Sequence, residues 1–521
     1  MGTVRSLFSL AHAGYVLARE GVIQALPVEG MPAPARLLHR MAGLVARRQA
    51  AGRSRSERLS AALNRLGPSW VKLGQFLATR PDVVGKEIAH DLERLQDRME
   101  PFASEESRKR IEASIGRSID SVYSHFGPPV AAASVAQVHK AIRLRDGAEV
   151  AVKVIRPGVR GRFRRDLDTF YAAARLQERF IPSVRRLRPV AVVETLEQSA
   201  RIEMDLRLEA AAFSELGENI AQDPGFSVPA IDWELTGRDC ITMAWVEGLK
   251  LTDIDAIRDA GHDLKALGAT LVQSFLRHTL RDGFFHADMH PGNLFVAPDG
   301  RITAVDLGIT GRLGRKERRF LAEILYGFIK RDYLRVAEVH FEAGYVPRHH
   351  SVPAFAQAIR AIGEPIHGQP AETISMAKLL TLLFEVTELF DMETRPELLL
   401  LQKTMVVVEG VARTLDPAFN MWKTAEPVVG DWIARNLGPH GIAEDAWLGL
   451  KAAGHLARQL PDLAERAELL SGKMQEMASN GFQLDAGSVE AIGKAEARRA
   501  RLGNAALWVI ALSAIYLAFL K

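Results

Sequence analysis

The chain has 521 residues, more than one hydrophobic core usually fills, so at least two domains or one domain with large additions are expected. Its 47% apolar, 25% charged and 7% aromatic residues are those of a globular protein, which excludes wholesale disorder, and its one cysteine, Cys240, excludes a disulfide-stapled fold and points to a reducing compartment. A net charge of +4 is too small to imply a nucleic-acid partner, and none is expected.

From the amino end, Leu7, Leu10, Tyr15, Val16 and Leu17, set among Arg5, Arg19 and Glu20, predict a short amphipathic helix without the long apolar stretch of a secretory signal. Between Pro32 and Leu66 the chain carries Arg36, Arg40, Arg47, Arg48, Arg53, Arg55, Arg58 and Arg65 against one acid, Glu57. Such a run either faces water along a helix or meets an anionic surface. The stretch from Ser121 to Arg156 reads as strand, small-residue loop, strand, turn and strand, with Asp146-Gly147 turning a hairpin that ends in Val150-Ala151-Val152-Lys153-Val154. Lys153 thus interrupts an apolar strand. Burying an ammonium is costly without an anion, so a phosphate or a carboxylate is expected opposite it, unless the strand lies at an edge and the lysine faces water.

Farther on, Phe285-His286-Ala287-Asp288-Met289-His290-Pro291-Gly292-Asn293 enters a hairpin of Leu294-Phe295-Val296 and Ile302-Thr303-Ala304-Val305, turned by Pro298-Asp299-Gly300 and closed by Asp306-Leu307-Gly308. Asn293 and Asp306 then stand at the two ends of the hairpin, where an amide and a carboxylate oxygen can converge. A hard cation such as Mg²⁺ takes such oxygens and completes its shell with nucleotide phosphates, so these two residues are the candidate metal ligands. Asp288, five residues before Asn293, is placed to orient or deprotonate a hydroxyl or water that attacks a terminal phosphate. A lysine in A-V-K, then H-x-D-x-x-x-x-N, then D-x-G is the chain order of protein-kinase motifs. Each fragment alone has an ordinary reading, Asp288 as a turn residue and His286 as a core histidine; the order makes the set specific.

After Arg315 the chain reads helical through Phe320 to Ile329, Leu379 to Phe390 and Leu398 to Val411, followed by amphipathic helices from Ala443 to Arg501. The uncharged run Ala505 to Leu520 follows Lys494, Arg498, Arg499 and Arg501 and ends at Lys521. As a helix it would span about 24 Å against a hydrocarbon thickness of about 30 Å, a short membrane anchor with the bulk of the protein on the cytoplasmic side; the alternative is a helix buried against the rest of the chain.

Three further stretches fit no ordinary kinase motif. Trp70-Val71-Lys72-Leu73-Gly74-Gln75 contains K-x-G-Q, Ala131-Ala132-Ala133-Ser134, followed by Val135, stands where kinases have glycines, and Glu203-Met204-Asp205 forms E-x-D, with Glu209 on the same predicted helix. With these, the chain from Gly67 to Arg312 resembles the UbiB family of atypical kinase-like proteins, also called the ABC-one or coenzyme Q kinase-like family. The resemblance implies an α+β, bilobal protein-kinase-like fold with an N-terminal helical extension, a helical C-terminal region and a C-terminal transmembrane helix. Residues 1–114 would form the extension, 115–345 the core with its lobes divided near residue 247, 346–502 the helical completion and 503–521 the anchor.

It also implies ATP and Mg²⁺ as cofactors. Asp288, Lys153 and Lys72 would be catalytic, and Asn293 and Asp306 would hold the metal. Nucleotide contacts would come from Ala131, Ala132, Ala133, Ser134, Val135, Lys153, Glu203, Asp205 and Glu209, with Glu209 pairing Lys153 and the E-x-D residues meeting Lys72. Alanine restricts positive φ, so the loop should differ in shape from a glycine loop. No A-P-E triplet follows Asp306-Leu307-Gly308, so phosphorylation of other proteins is not expected. The implied activity is slow ATP hydrolysis serving ubiquinone biosynthesis at the bacterial inner membrane, with a single C-terminal pass or peripheral attachment. The partners would be anionic lipids, prenylated phenolic quinone precursors, other ubiquinone-biosynthesis proteins and a second copy of the chain as a homodimer. A nucleotide-sensing scaffold is the alternative. Bacterial relatives commonly end in two adjacent membrane helices, whereas one run is evident here.

Overall fold

The computed structural model describes residues 2–25, 33–47, 52–78, 84–93, 99–180, 185, 188–368, 386, 389–392 and 396–438. The chain divides into two compact units, Met1–Ala434 and Arg435–Lys521, and nearly all described residues belong to the first. The expected anchor, Ala505 to Leu520, and the expected helices from Ala443 to Arg501 lie outside the described residues. Among the described residues no helix is long and apolar enough to cross a membrane.

The extension is helical: α1 Gly2–Arg19, α2 Ala33–Val45, α3 Arg55–Leu66, α4 Pro68–Ala78, α5 Lys86–Glu93 and α6 Ser104–Ile115. Its arginines are largely spent inside the protein. The carboxylate of Glu20, almost fully buried, lies 3.3 Å from Arg47, 3.3 Å from Arg65 and 3.8 Å from Arg53, joining the end of α1 to α3. Arg55 pairs with Asp91 and, at 3.0 Å, with Glu87, and Arg58 donates to the Gly21 carbonyl at 3.2 Å. Glu57, the one acid within the run, forms a capping box with Ser54 at the start of α3, accepting from the Ser54 amide at 2.7 Å. Arg36 and Arg40 on α2 remain exposed, beside exposed Met41 and Leu44. Trp70 fastens α4 by packing edge-on against Phe170, with centroids 4.8 Å apart.

The smaller lobe is a five-stranded antiparallel sheet in the order β1-β2-β3-β6-β5, from Tyr123–Ala132, Ala136–Arg143, Glu149–Ile155, Cys240–Ala244 and Ile231–Asp232. The β2–β3 turn at Asp146-Gly147 forms as expected, with Gly147 at φ 71° and the Asp146 carboxylate accepting from the Ala148 amide at 3.2 Å. β3 is central, so Lys153 is not an edge residue; it stands between Val138 of β2 and Ile241 of β6. Three helices follow β3: α7 Val159–Phe180, α8 Pro189–Glu203 and α9 Leu206–Asn219. The single helix expected through Glu203 and Glu209 is two. Asp205 breaks it by capping α9, its carboxylate accepting from the Arg207 amide at 3.3 Å.

In the larger lobe β4 Phe226–Ser227, β10 Ile302–Ala304, β9 Leu294–Val296 and β7 Leu249–Lys250 form one small sheet, and β8 Phe284–His286 pairs with β11 Thr310–Arg312. Helices α10 Ile254–Asp259 and α11 Leu264–Arg277 precede β8. The chain reaches β8 through a wide π turn, His278–Asp282, and Gly283 at φ 68°, where a Cβ would stand 2.5 Å from the Leu313 carbonyl oxygen. Only glycine fits there. Then come α12 Arg315–Lys330, α13 Tyr333–Glu342, α14 Val352–Gly368, α15 Pro396–Leu415 and α16 Met421–Asn436. α15 lies against α11 so closely that a Cβ on Gly268 would meet the Ala412 carbonyl oxygen at 3.4 Å. One apolar cluster runs from Ile155 and Phe213 through Phe275 and Phe285 to Val408 and Ala412, so strands, central helices and α15 share a core.

Candidate active site

The site is built around Lys153. Its ammonium donates to the Glu209 carboxylate at 2.7 Å and to the Asp306 carboxylate at 3.0 Å, joining β3, α9 and the loop after β10. Burial opposes the lysine's charge, but Asp306 and Glu209 outweigh it and hold the ammonium above its usual range. Asp306 loses some hydration as well, yet Lys153 keeps its carboxyl below the usual carboxylate range. Burial pushes Glu209 upward and Lys153 pulls it back; at 2.7 Å from an ammonium the pair is ionic. Of the three, Glu209 is the most enclosed, at 6% exposed, while Asp306 is 48% exposed and opens to the cleft.

Asp306 is held at φ 68°, a left-handed conformation that costs a non-glycine residue on the order of 1 kcal/mol. Its carboxylate accepts from the Gly308 amide at 3.3 Å, which fixes the loop. Asn293 closes a short turn, Pro291–Asn293, capped by His290, and its backbone carbonyl accepts from the Val305 amide at 2.8 Å, so it adjoins Asp306 as expected. The Asn293 side-chain nitrogen donates to the Asp288 carbonyl at 3.2 Å and lies 3.5 Å from the Asp288 carboxylate, which leaves the amide oxygen as its ligating atom. An amide oxygen and an ionised, half-open carboxylate are the donor set that suits Mg²⁺.

His286 is a core histidine, as its ordinary reading had it, but it also shapes the loop. Burial holds its imidazole neutral, and Nδ1 accepts from the Asp288 amide at 3.3 Å. Thr404, in the middle of α15, donates to the Ala287 carbonyl at 3.0 Å and so fixes the loop from the far side. The only hint of it in the sequence is a hydroxyl beside Gln402 and Lys403 within a largely apolar helical run, Leu398 to Val408.

The extension reaches this site. Lys72 pairs with Glu203, as expected, and Glu203 lies by the Asp306 loop: a Cβ on Gly308 would be 4.0 Å from Glu203 Cγ. Asp205 does not share that arrangement. Its carboxylate takes Arg207 at 2.7 Å on its own helix and lies 3.9 Å from Arg238, just ahead of β6.

Ala131 and Ala132 end β1, and Ala133, Ser134 and Val135 turn into β2, closed by the Ala133 amide donating to the Ala136 carbonyl at 2.8 Å. None of these five residues has a positive φ, in line with alanine's restriction. Ser134 is fully buried. The turn is also strapped from outside. Arg156 donates to the carbonyls of Ala133 at 2.9 Å and Glu100 at 3.1 Å and stacks over Phe102, and the Met99 amide donates to Ala132 at 3.1 Å. Arg156 carried no sequence signal beyond its place just after β3.

Two family descriptions match the sequence, the ABC1 atypical kinase-like domain over residues 94–340 and the UbiB helical domain over residues 359–420. Among curated proteins, a probable protein kinase UbiB of Marinobacter nauticus is 37% identical over 486 residues, 92% of this chain and 87% of that one. One of Aeromonas hydrophila is 38% identical over 457 residues, with 86% and 83% covered, and one of Pseudomonas fluorescens is 40% identical over 418 residues, with 79% and 78% covered. A solved Mycobacterium tuberculosis protein in complex with erythromycin aligns at a TM-score of 0.48 and 24% identity, covering 72% of this chain and 97% of that one. With an ion-paired β3 lysine, an H-x-D-x-x-x-x-N loop and relatives matched over most of their length, the chain belongs to the UbiB family of ABC1 atypical kinase-like proteins.

Proposed function

We propose that the protein is a kinase-like ATPase serving ubiquinone biosynthesis, and that it acts at a membrane on or beside prenylated phenolic intermediates. The Lys153 bridge between Glu209 and Asp306 carries this reading, because it is the arrangement that presents one ammonium to a nucleotide phosphate beside a metal-binding carboxylate. Asn293 and Asp306 would hold Mg²⁺, which screens the phosphate charge when bound. Lys153 would fix the phosphates, Asp288 would orient the attacking oxygen, and Lys72 would bring a second cation to the cleft through Glu203. Asp288→Asn is expected to lower phosphate release from ATP and Mg²⁺ by about 10²-fold or more with nucleotide affinity kept. Turnover equal to the unaltered protein's, with or without anionic liposomes and a phenolic precursor, would refute the role given to Asp288.

The strapped alanine turn favours a second reading, a nucleotide-sensing scaffold, since a loop tied by Arg156 to residues 99–102 is poorly suited to rapid exchange. Membrane attachment is supported by the run Ala505 to Leu520 and by α1 and α2, where exposed Phe8, Met41 and Leu44 accompany Arg36 and Arg40. Deleting residues 505–521 is expected to move the protein into the soluble fraction of a lysate. If it stays with the membranes, attachment passes to α1 and α2.

A further inference from the structure

Away from the cleft, three donor groups converge where the turn between α13 and α14 meets the chain ahead of α15. His349 and His350 are sequence neighbours, yet the turn that closes with the His350 amide donating to the Pro347 carbonyl at 3.2 Å brings their rings together, centroids 4.1 Å apart. Asp391 faces both, its Oδ2 lying 3.3 Å from His350 Nε2 and 3.8 Å from His349 Nε2. One ligating atom from each residue falls within 4.8 Å of the others, and among the described residues no other group of three or more His, Cys, Asp or Glu side chains does so.

We propose that His349, His350 and Asp391 form a binding site for a late first-row dication, with Zn²⁺ the best fit. Zinc binds imidazole nitrogen and carboxylate oxygen at about 2.0–2.1 Å, which sets tetrahedral donors about 3.3 Å apart, so the two measured edges need only small side-chain rotations. Two imidazoles with one carboxylate suit zinc or its first-row neighbours and suit Mg²⁺ poorly.

The donors sit on a firm base. Phe390, 7% exposed, packs against Phe355 at 5.0 Å and against the His350 ring at 5.3 Å, in a cluster that includes Tyr333 and Ile359. The residue after it, Asp391, is held at φ 46°, a left-handed conformation that carries its own cost. A dication would take one lone pair from each of the three side chains at once. His349 and Asp391 are 66% and 69% exposed, so water has room to complete the coordination shell. The site is thus an open three-ligand type that would pin the chain ahead of α15 to the α13–α14 turn.

The test is a zinc titration of the full, chelator-stripped protein against a chromophoric competitor, without nucleotide. One equivalent of zinc is expected to bind, Mg²⁺ is expected not to displace it, and His349→Ala and Asp391→Asn are each expected to weaken it by at least about tenfold. Both positions are exposed, so both variants should fold, which thermal melting checks. Asp306→Asn is expected to bind zinc unchanged, separating this site from the cleft. Failure to bind zinc, equal binding by His349→Ala and Asp391→Asn, or loss in Asp306→Asn would each overturn the proposal.

Discussion

Replacing Lys153 by methionine is expected to abolish detectable nucleotide binding and to lower the unfolding free energy by on the order of 3 kcal/mol, because it strands the enclosed Glu209 carboxylate without its cation. Equilibrium urea unfolding and calorimetric titration with ATP and Mg²⁺ read the two effects separately. The double variant Lys153→Met with Glu209→Gln should regain most of the lost stability, since both ends of the pair are then neutral, and should regain none of the binding. If the double variant is as unstable as the single one, the pair is not what holds β3 to α9. The single variant also has a pH signature. Burial already raises Glu209, and with the ammonium gone it rises further. A carboxyl with a raised folded pKa stabilises the fold below its ordinary pKa and loses that contribution as pH climbs through the folded value. The deficit of Lys153→Met should therefore be greatest above neutral pH and shrink as the solution is made acidic.

Asp306→Asn is expected to act on chemistry rather than on the fold. Its carboxylate is half exposed, so losing its bond to Lys153 should cost no more than about 1 kcal/mol, while phosphate release should fall by about 10²-fold or more and the Mg²⁺ dependence of ATP binding should flatten. The same variant separates the two proposed functions. In cells without their own copy of the protein, restored quinone production by Asp306→Asn would favour the scaffold, and failure to restore it would favour the ATPase. Unaltered phosphate release by the purified variant would remove Asp306 from the metal site.

The parts of the site that could be read from the sequence are those that depend on near neighbours. Asp146-Gly147 and Pro298-Asp299-Gly300 turn their hairpins as expected because turn chemistry is local. The misread parts depend on partners remote along the chain. The eight arginines have one acid within their run because Glu20, Glu87 and Asp91 lie outside it, and the structure brings those acids to four of them, Arg47, Arg53, Arg55 and Arg65. Asp205 looked like a companion of Glu203, two positions away, but a short acidic side chain where a helix can restart serves better as a cap. Thr404 and Arg156 act by donating to backbone carbonyls, which leave no mark on residue identity.

The close approach of Gly268 to Ala412, with Thr404 reaching into the loop before Asp288, has a practical corollary for dissecting this protein. The two stretches that family descriptions assign separately share one apolar core and are expected not to fold apart. A fragment cut at residue 340 would lay bare the α11 surface that α15 covers and would leave the Ala287 carbonyl without its hydroxyl donor, so it should aggregate or misplace Asp288.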